Sequence, residues 1–410
     1  MIDNKPSLRL QWGQLLAVSG AHFLVDVYAG MMPAILPAVR DKFNISLTMG
    51  VALISTLYIS CNIMQIGTGH VRAQKDKPLL MYIGLALGAV LCSFAAFPAQ
   101  EAGVEASIYI KLTLILLVII AASGLAMVHP EGLRAVHRLD GIQPAMSTAV
   151  FMAGGFMGFA SGGYIATLLV EAFGFKGLYF LCLGSAAGIA AIYLLRVRLA
   201  VEKTPTEVVE QKVAKVTQLP FWPLMMIAIP ATTATTVFCS LLPSRLEELG
   251  YALSYGGIAT LIYGGGSAIG SFLWAPIAHR KGEMKLCAVL HLAGLPFLFA
   301  YLGMMDNGYA VILLAAAGFL SSSAYPLVVT MARSAKGLTL GLRMGLVVGG
   351  AWGLAAVPLQ VLGPVAEEFG IQIVLWYTPI GYVIAGVAAL MLAARGKAKM
   401  KIKNEATSAA

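Results

Sequence analysis

Among the 19 acidic residues of this 410-residue sequence, Asp26 alone falls near the middle of a long apolar run. A carboxylate at the centre of a membrane helix costs roughly 2.5–3.5 kcal/mol on insertion scales. A position facing a cavity, where the group exchanges protons, would account for that cost. His22 precedes it by one helical turn and would share its face, so the two residues form a candidate proton-coupling pair, with Tyr28 and Gly30 close behind. The competing reading is a permanently paired carboxylate that holds helices together.

A second constellation, His129, Pro130, Glu131 and Arg134, closes a later apolar run. Proline removes one intrahelical hydrogen bond and can free a carbonyl toward a cavity. Glu131 and Arg134, three residues apart, can pair. The group would bind an anion or relay a proton, or else form an ion pair at a helix end with Arg138 as a flanking anchor. Glycines 154, 155, 158, 162 and 163 follow on one helix (Gly154, Gly155, Gly158, Gly162, Gly163), where small residues let backbones approach and would suit either plain packing or a sliding contact between halves. Tyr28, Tyr58, Asn62, Gln65, Tyr263, Tyr325 and Trp352 are substrate or gating candidates by position on their helices alone.

Other chemistries lack their residues. His291 and the 19 methionines have no ligand spacing, so no metal is assigned, and no cofactor is called for. No phosphate-binding G-x-x-x-x-G-K-[ST] is present, and GGGSAIG at 264–270 is an apolar packing segment without the lysine. No H-E-x-x-H or Ser/His dyad points to an intramembrane enzyme. Energy must come from an ion gradient or from the substrate itself.

These residues need elements to hold them, and composition says which kind. Hydrophobic residues make up 59% of the chain and charged residues 11%, with mean hydropathy +0.82. A soluble chain carries about 25% charge, so this one would expose more apolar surface than water tolerates, whereas lipid can cover it. The five cysteines, Cys61, Cys92, Cys182, Cys239 and Cys287, lie in or at the ends of apolar runs without paired spacing, which argues against a disulfide framework. The first run carries His22 and Asp26 and lacks a small-residue cleavage pattern, so it reads as a retained membrane helix rather than a signal peptide.

A span needs about 20 residues. Runs of that length lie near 12–39, 47–70, 78–98, 107–133, 142–172, 176–196, 220–245, 253–278, 285–304, 309–333, 338–366 and 371–394. The expected fold is an all-α polytopic membrane protein of twelve transmembrane helices in two six-helix pseudo-symmetric halves, 1–196 and 220–394. A polar linker at 197–219 joins them and a basic tail follows at 395–410. With both termini on one side, 23 of the 28 Lys and Arg fall on that side and only Arg40, Lys42, Lys111, Lys176 and Arg245 on the other. The excess puts both termini in the cytoplasm. It also explains the net charge of +9 without a nucleic-acid partner.

The halves repeat. An offset of 206 aligns Pro37 of GMMPAILPAVRDKF with Pro243 of FCSLLPSRLEELGY, and an offset of about 195–196 aligns Pro130 of SGLAMVHPEGLRA with Pro326 of LSSSAYPLVVTMA and GGFMGFASGG with GGAWGLAAVP. The matches run in the same order through both halves, as in a duplicated transporter. Twelve spans, the duplication and the central linker resemble the major facilitator superfamily. Within it, HFLVDVYAGMMPAILP at 22–37, HPEG at 129–132 and QPAMSTAVFMAGGFMGFASGG at 143–163 resemble the fosmidomycin-resistance subgroup of drug exporters, over essentially the whole chain. The superfamily's G-x-x-x-D-R-x-G-R-R loop departs here: GHVRAQKDK puts Ala73 and Gln74 at the Asp-Arg positions, and the second copy, APIAHRKG, has His279 at the acidic position while keeping Arg280 and Gly282. The resemblance therefore carries no carboxylate gate to the first-half loop.

The resemblance implies a secondary transporter, an exporter of small amphiphilic or anionic compounds in exchange for protons. It would act as a monomer in a bacterial inner membrane, with its substrate, protons and lipid as its partners. Proton-coupled uptake, or export of a natural metabolite or metallophore, is the alternative within transport. A transport-inactive receptor or scaffold is the alternative outside it, and the lack of a sizeable soluble domain argues against that role.

Overall fold

A computed structural model describes residues 7–71, 74–101, 103–201, 219–338 and 340–408. Ala73 and positions 202–218 of the expected linker lie outside the described residues. The described chain is helical, with an isolated bridge between Pro220 and Lys336. In order, the helices are α1 (Leu8–Phe43), α2 (Leu47–Val71), α3 (Leu79–Gly88), α4 (Ile108–Val136), α5 (Pro144–Phe173), α6 (Tyr179–Leu194), α7 (Phe221–Glu248) and α8 (Leu253–Lys281). They are followed by α9 (Glu283–Ala293), α10 (Leu295–Gly303), α11 (Val311–Leu320), α12 (Tyr325–Arg333), α13 (Leu340–Met344), α14 (Ala351–Ala356), α15 (Leu359–Phe369), α16 (Ile371–Tyr377) and α17 (Pro379–Ser408).

Among the described residues, ten helical stretches are long and apolar enough to cross a membrane, and Leu79–Ala95 is a shorter apolar one. One stretch, Met146–Leu194, runs for 49 residues. At 1.5 Å per residue that is more than twice the roughly 30 Å hydrocarbon core. It turns at Gly174, whose φ of 62° suits glycine, between α5 and a short 3-10 turn leading into α6. Several runs that read as single spans are broken in the later part of the chain. The run at 285–304 divides at Gly294, with Pro296 opening α10; that at 309–333 passes through a 3-10 turn before Pro326; that at 338–366 holds a π turn at Gly345–Gly350. Proline in the first turn of a helix is tolerated because the missing N–H would have no partner there.

Prolines inside helices leave carbonyls that neighbours take up. Pro33 cannot bond the Ala29 carbonyl, which accepts instead from the Tyr58 hydroxyl on α2 (3.3 Å). Pro130 likewise frees the Ala126 carbonyl, which accepts from Thr68 Oγ1 on α2 (2.9 Å). Sequence reading anticipated a freed carbonyl at Pro130; its acceptance by α2 ties that helix to α4.

The chain forms two compact units that do not coincide with the sequence halves. One unites Met1–Val209 with Cys239–Leu261 and Leu359–Gln372; the other holds Glu210–Phe238, Ile262–Pro358 and Ile373–Ala410. Within the first unit, two carboxylates join the repeats. Glu171, near the end of α5, accepts from the Ser254 backbone N–H in the first turn of α8 (2.7 Å). Glu367, near the end of α15, accepts from the Thr48 N–H in the first turn of α2 (2.8 Å). Each satisfies an N–H that its helix cannot pair internally. The donors are 206 residues apart and the acceptors 196, the same two offsets that align the repeats in the sequence. The core of this unit is the α1–α5 contact, where Gly158 meets the Phe23 carbonyl so closely that a β-carbon would not fit.

Candidate functional site

His22, Asp26 and His129 come together among α1, α4 and α5. The i, i+4 spacing on α1 puts His22 Nε2 at 3.2 Å from Asp26 Oδ2, and α4 brings His129 Nε2 to 3.1 Å from Asp26 Oδ1. One carboxylate thus has an imidazole on each oxygen. The rings meet edge to face, with centroids 4.9 Å apart, and the Phe151 ring stacks on His22 at 4.2 Å. The side chains are 5%, 18% and 20% exposed for His22, Asp26 and His129, so the cluster is mostly shielded.

Backbone carbonyls set both rings. His22 Nδ1 donates to the Phe151 carbonyl of α5 (2.9 Å), and His129 Nδ1 donates to the Leu125 carbonyl one turn back on α4 (2.7 Å). A carbonyl can only accept, so Nδ1 carries the hydrogen in each ring and Nε2 is turned to the carboxylate. Glycine makes the space: a β-carbon at Gly155 would land on His22 Nε2 and Cε1 and on Asp26 Oδ2, and one at Gly132 would land on the Phe151 ring. One nitrogen from each ring and a carboxylate oxygen of Asp26 lie within 4.8 Å of one another. From α2, Tyr58 and Cys61 lie within electrostatic reach of Asp26.

The second sequence constellation divides. His129 joins Asp26, while Glu131 and Arg134 bind backbone at the helix end. Glu131 accepts from the Met81 N–H in the first turn of α3 (3.0 Å). Arg134 donates to the Ala200 carbonyl through Nε and Nη2 (3.0 and 2.8 Å) and to the Lys75 carbonyl (2.7 Å), pinning the segments that flank α3 and α6. Both are buried, and these backbone contacts form a structural clasp at the helix end.

The remaining candidates scatter. Tyr28 is fully buried, and its hydroxyl meets the Leu181 carbonyl (2.9 Å) and Ser185 (2.8 Å) of α6, away from the His–Asp cluster. Asn62 donates to the Tyr58 carbonyl of its own helix (2.8 Å), and Gln65 is half-buried on α2. Tyr325 donates to the Val347 carbonyl (2.7 Å) and packs edge to face on Trp352. Gly154, Gly155, Gly158 and Gly162 face Ser19, His22, Phe23 and Val27 of α1, so this stripe is packing inside one repeat rather than a contact sliding between the two; Gly163 faces Ala34 and Thr260. Sequence reading missed Phe151 and the Leu125 carbonyl. The only signal for Phe151 was its place one helical turn before Gly155.

At offsets of 206 and 196, the spacings of the capping donors and acceptors, Asp26 corresponds to Thr232, His22 to Ala228, His129 to Tyr325, Phe151 to Val347 and Gly155 to Ala351, one residue beyond the 195 that lays GGFMGFASGG over GGAWGLAAVP. Thr232 Oγ1 donates to the Ala351 carbonyl (3.3 Å). The second repeat therefore keeps the carbonyl at 347 as an acceptor but offers it a phenol instead of an imidazole.

Comparison with known proteins places this arrangement in context. The profile described as Major Facilitator Superfamily matches residues 18–355. The chain is 19% identical over 378 residues to the fosmidomycin resistance protein of Escherichia coli (strain K12), covering 89% of each chain. It is 23% identical over 373 residues to the uncharacterized MFS-type transporter YfnC of Bacillus subtilis (strain 168), covering 87% of each. Among solved structures, a POT family transporter in complex with 5-aminolevulinic acid superposes with TM-score 0.67 at 13% identity, covering 93% of this chain and 95% of that one. An inward-facing, unoccupied bacterial homolog of the human lysosomal transporter Spinster gives 0.66 at 15% identity, covering 94% and 97%.

Proposed function

This chain belongs to the Major Facilitator Superfamily and is a multi-pass membrane secondary transporter rather than an enzyme, and from that premise we propose that it exports small amphiphilic or anionic compounds in exchange for protons. The observation that carries the proposal is the Asp26 carboxylate between two imidazoles, at 3.2 and 3.1 Å, in the middle of a membrane helix. Charge-assisted hydrogen bonds of this kind are worth about 1.5–3 kcal/mol each, enough to offset the cost of placing the carboxylate at that depth.

Proton loss would change packing as well as charge. Of the two contacts, that of His129 reaches from α4 to α1. Without its Nε2 proton, nitrogen and carboxylate oxygen are two acceptors in contact, and attraction turns to repulsion. A transporter whose protonated and deprotonated clusters favour different facings of the cavity can couple a proton gradient to substrate movement. Ten stretches long and apolar enough to span, among the described residues, support the reading; counting the 49-residue stretch as two and Leu79–Ala95 as one makes twelve crossings. The cation asymmetry orients both termini to the cytoplasm. The chain works as a monomer in a bacterial inner membrane.

The test starts with growth of cells expressing the chain against toxic compounds, fosmidomycin first because of the relative's name. Any compound that scores is then measured in proteoliposomes under an imposed pH gradient. Accumulation driven by the gradient in wild type, and its loss in Asp26→Asn, is the expected result. Uptake in the direction of proton flow would instead make the protein a symporter. Flux indifferent to the pH gradient would remove proton coupling.

A further inference from the structure

We infer that the closed His22–Asp26–His129 cluster holds two protons at once, one on each Nε2, so that a single carboxylate lies between two imidazolium rings. The functional meaning of the count rests on the proton-coupling reading above, but the count itself comes from three hydrogen bonds and one ion-pair contact, that of His22 with Asp26. A neutral imidazole has one N–H. In both rings that hydrogen is on Nδ1, because the partners there are the Phe151 and Leu125 carbonyls, which have no proton to give. Each Nε2 would then be a bare lone pair, yet each lies 3.1–3.2 Å from a carboxylate oxygen. A proton must lie in each contact. Protonating Asp26 instead does not lower the number, since a carboxylic acid carries hydrogen on one oxygen only and the other ring still needs its own.

The surroundings supply no substitute. From α2 the neighbouring titratable groups are Tyr58 and Cys61. From α5 the neighbours are the Phe151 ring and Gly155, which do not titrate. The His22 contact lies within α1, whereas the His129 contact joins α4 to α1, so the two protons differ in consequence. Release from His22 changes charge alone. Release from His129 also breaks a contact between two helices. The loaded cluster carries one net positive charge, and the geometry makes the proton on His129 the one whose loss is felt as movement.

The experiment counts protons in the purified full chain in detergent by potentiometric titration between about pH 4 and 10, a window that spans free carboxyl and imidazole groups. Glutamine supplies an amide N–H that reaches the carboxylate without any added proton. Wild type should therefore bind one more proton than His22→Gln, one more than His129→Gln, and two more than the double variant. A difference of one against the double variant overturns the inference. If the double variant does not fold, nitrogen-15 spectra of histidine-labelled wild type give the count directly. Two of the six histidines must then lose an Nε2 proton while keeping Nδ1–H. A single such ring overturns the inference. The transport reading fails separately, by pH-independent flux from a protein that still binds two protons.

Discussion

Two regions of this molecule recur at the same sequence offsets and differ in how closely their side chains match. At one end, Glu171 on Ser254 and Glu367 on Thr48 perform the same capping in both repeats, with donors and acceptors at the offsets that align the sequence. In the middle, the repeats share a backbone acceptor, Phe151 or Val347, but present it with different side chains. The first repeat has His22, Asp26 and His129; the second has Ala228, Thr232 and Tyr325. Closing a helix bundle is a task that both halves must meet, because every helix start has N–H groups without internal partners. Titration is a task that one half can perform for both. A hydroxyl-lined counterpart costs less to bury than a second charged cluster.

The comparison can be broken most sharply at Asp26. Asp26→Asn keeps size and hydrogen bonding but cannot carry the charge, and gradient-driven accumulation in proteoliposomes should fall at least ~10-fold, the size of effect that about 1.4 kcal/mol of lost coupling produces. Thr232→Val at the corresponding position of the second repeat should leave accumulation within ~3-fold, since a single neutral hydrogen bond is worth about 0.5–1.5 kcal/mol. Equal losses in the two variants would show that the repeats share the work.

Gly155 gives the next effect. Gly155→Val should abolish coupled flux while membrane insertion persists, because its side chain would occupy the space of His22 and Asp26. Ala351→Gly, the reverse exchange in the second repeat, should reduce thermal stability by only about 1 kcal/mol through the helix propensity of glycine. Gly158→Leu serves as the control for folding: its β-carbon meets the Phe23 backbone rather than a side chain, so it should lower the yield of folded protein, read by size-exclusion chromatography.

Exchange of the donor sharpens the comparison further. His129→Tyr makes the first repeat resemble the second and should leave substrate exchange intact while removing the pH dependence of net transport. Tyr325→Phe deletes the hydroxyl on the Val347 carbonyl and should change transport by no more than ~3-fold, as expected for one neutral hydrogen bond.

The smallest effects belong to the caps. Glu171→Gln and Glu367→Gln keep an acceptor and lose the charge, and because both carboxylates are exposed each should weaken closure by only about 0.5 kcal/mol. Accessibility of a cysteine introduced at Tyr164, near Gly257 where α5 and α8 meet, should rise about 2-fold for either variant and by the product for both, since both bias one closure. A large effect from one and none from the other would end the equivalence of the two ends.

The helical class and the repeat were legible in the residues themselves. Charge is so sparse, and apolar runs so long, that no fold exposing them to water could be stable, and duplication leaves offsets that survive when side chains change. Asp26 and His22 were equally legible, because four residues on a helix is a contact and an acid in an apolar run demands a reason. The partition of HPEG was not. His129 and Glu131 are two residues apart and on different faces, so sequence proximity suggested one site where the packing of α4 between α1 and α3 makes two. The glycine stripe could not disclose its partner either, since a small residue permits close approach without specifying by what. Phe151 acts through its backbone carbonyl and its ring face, neither of which leaves a mark in residue type. Patterns along one helix are fixed by the 3.6-residue period and can be read from the chain; which faces meet depends on how several helices fill the same volume, and that is decided only when they pack.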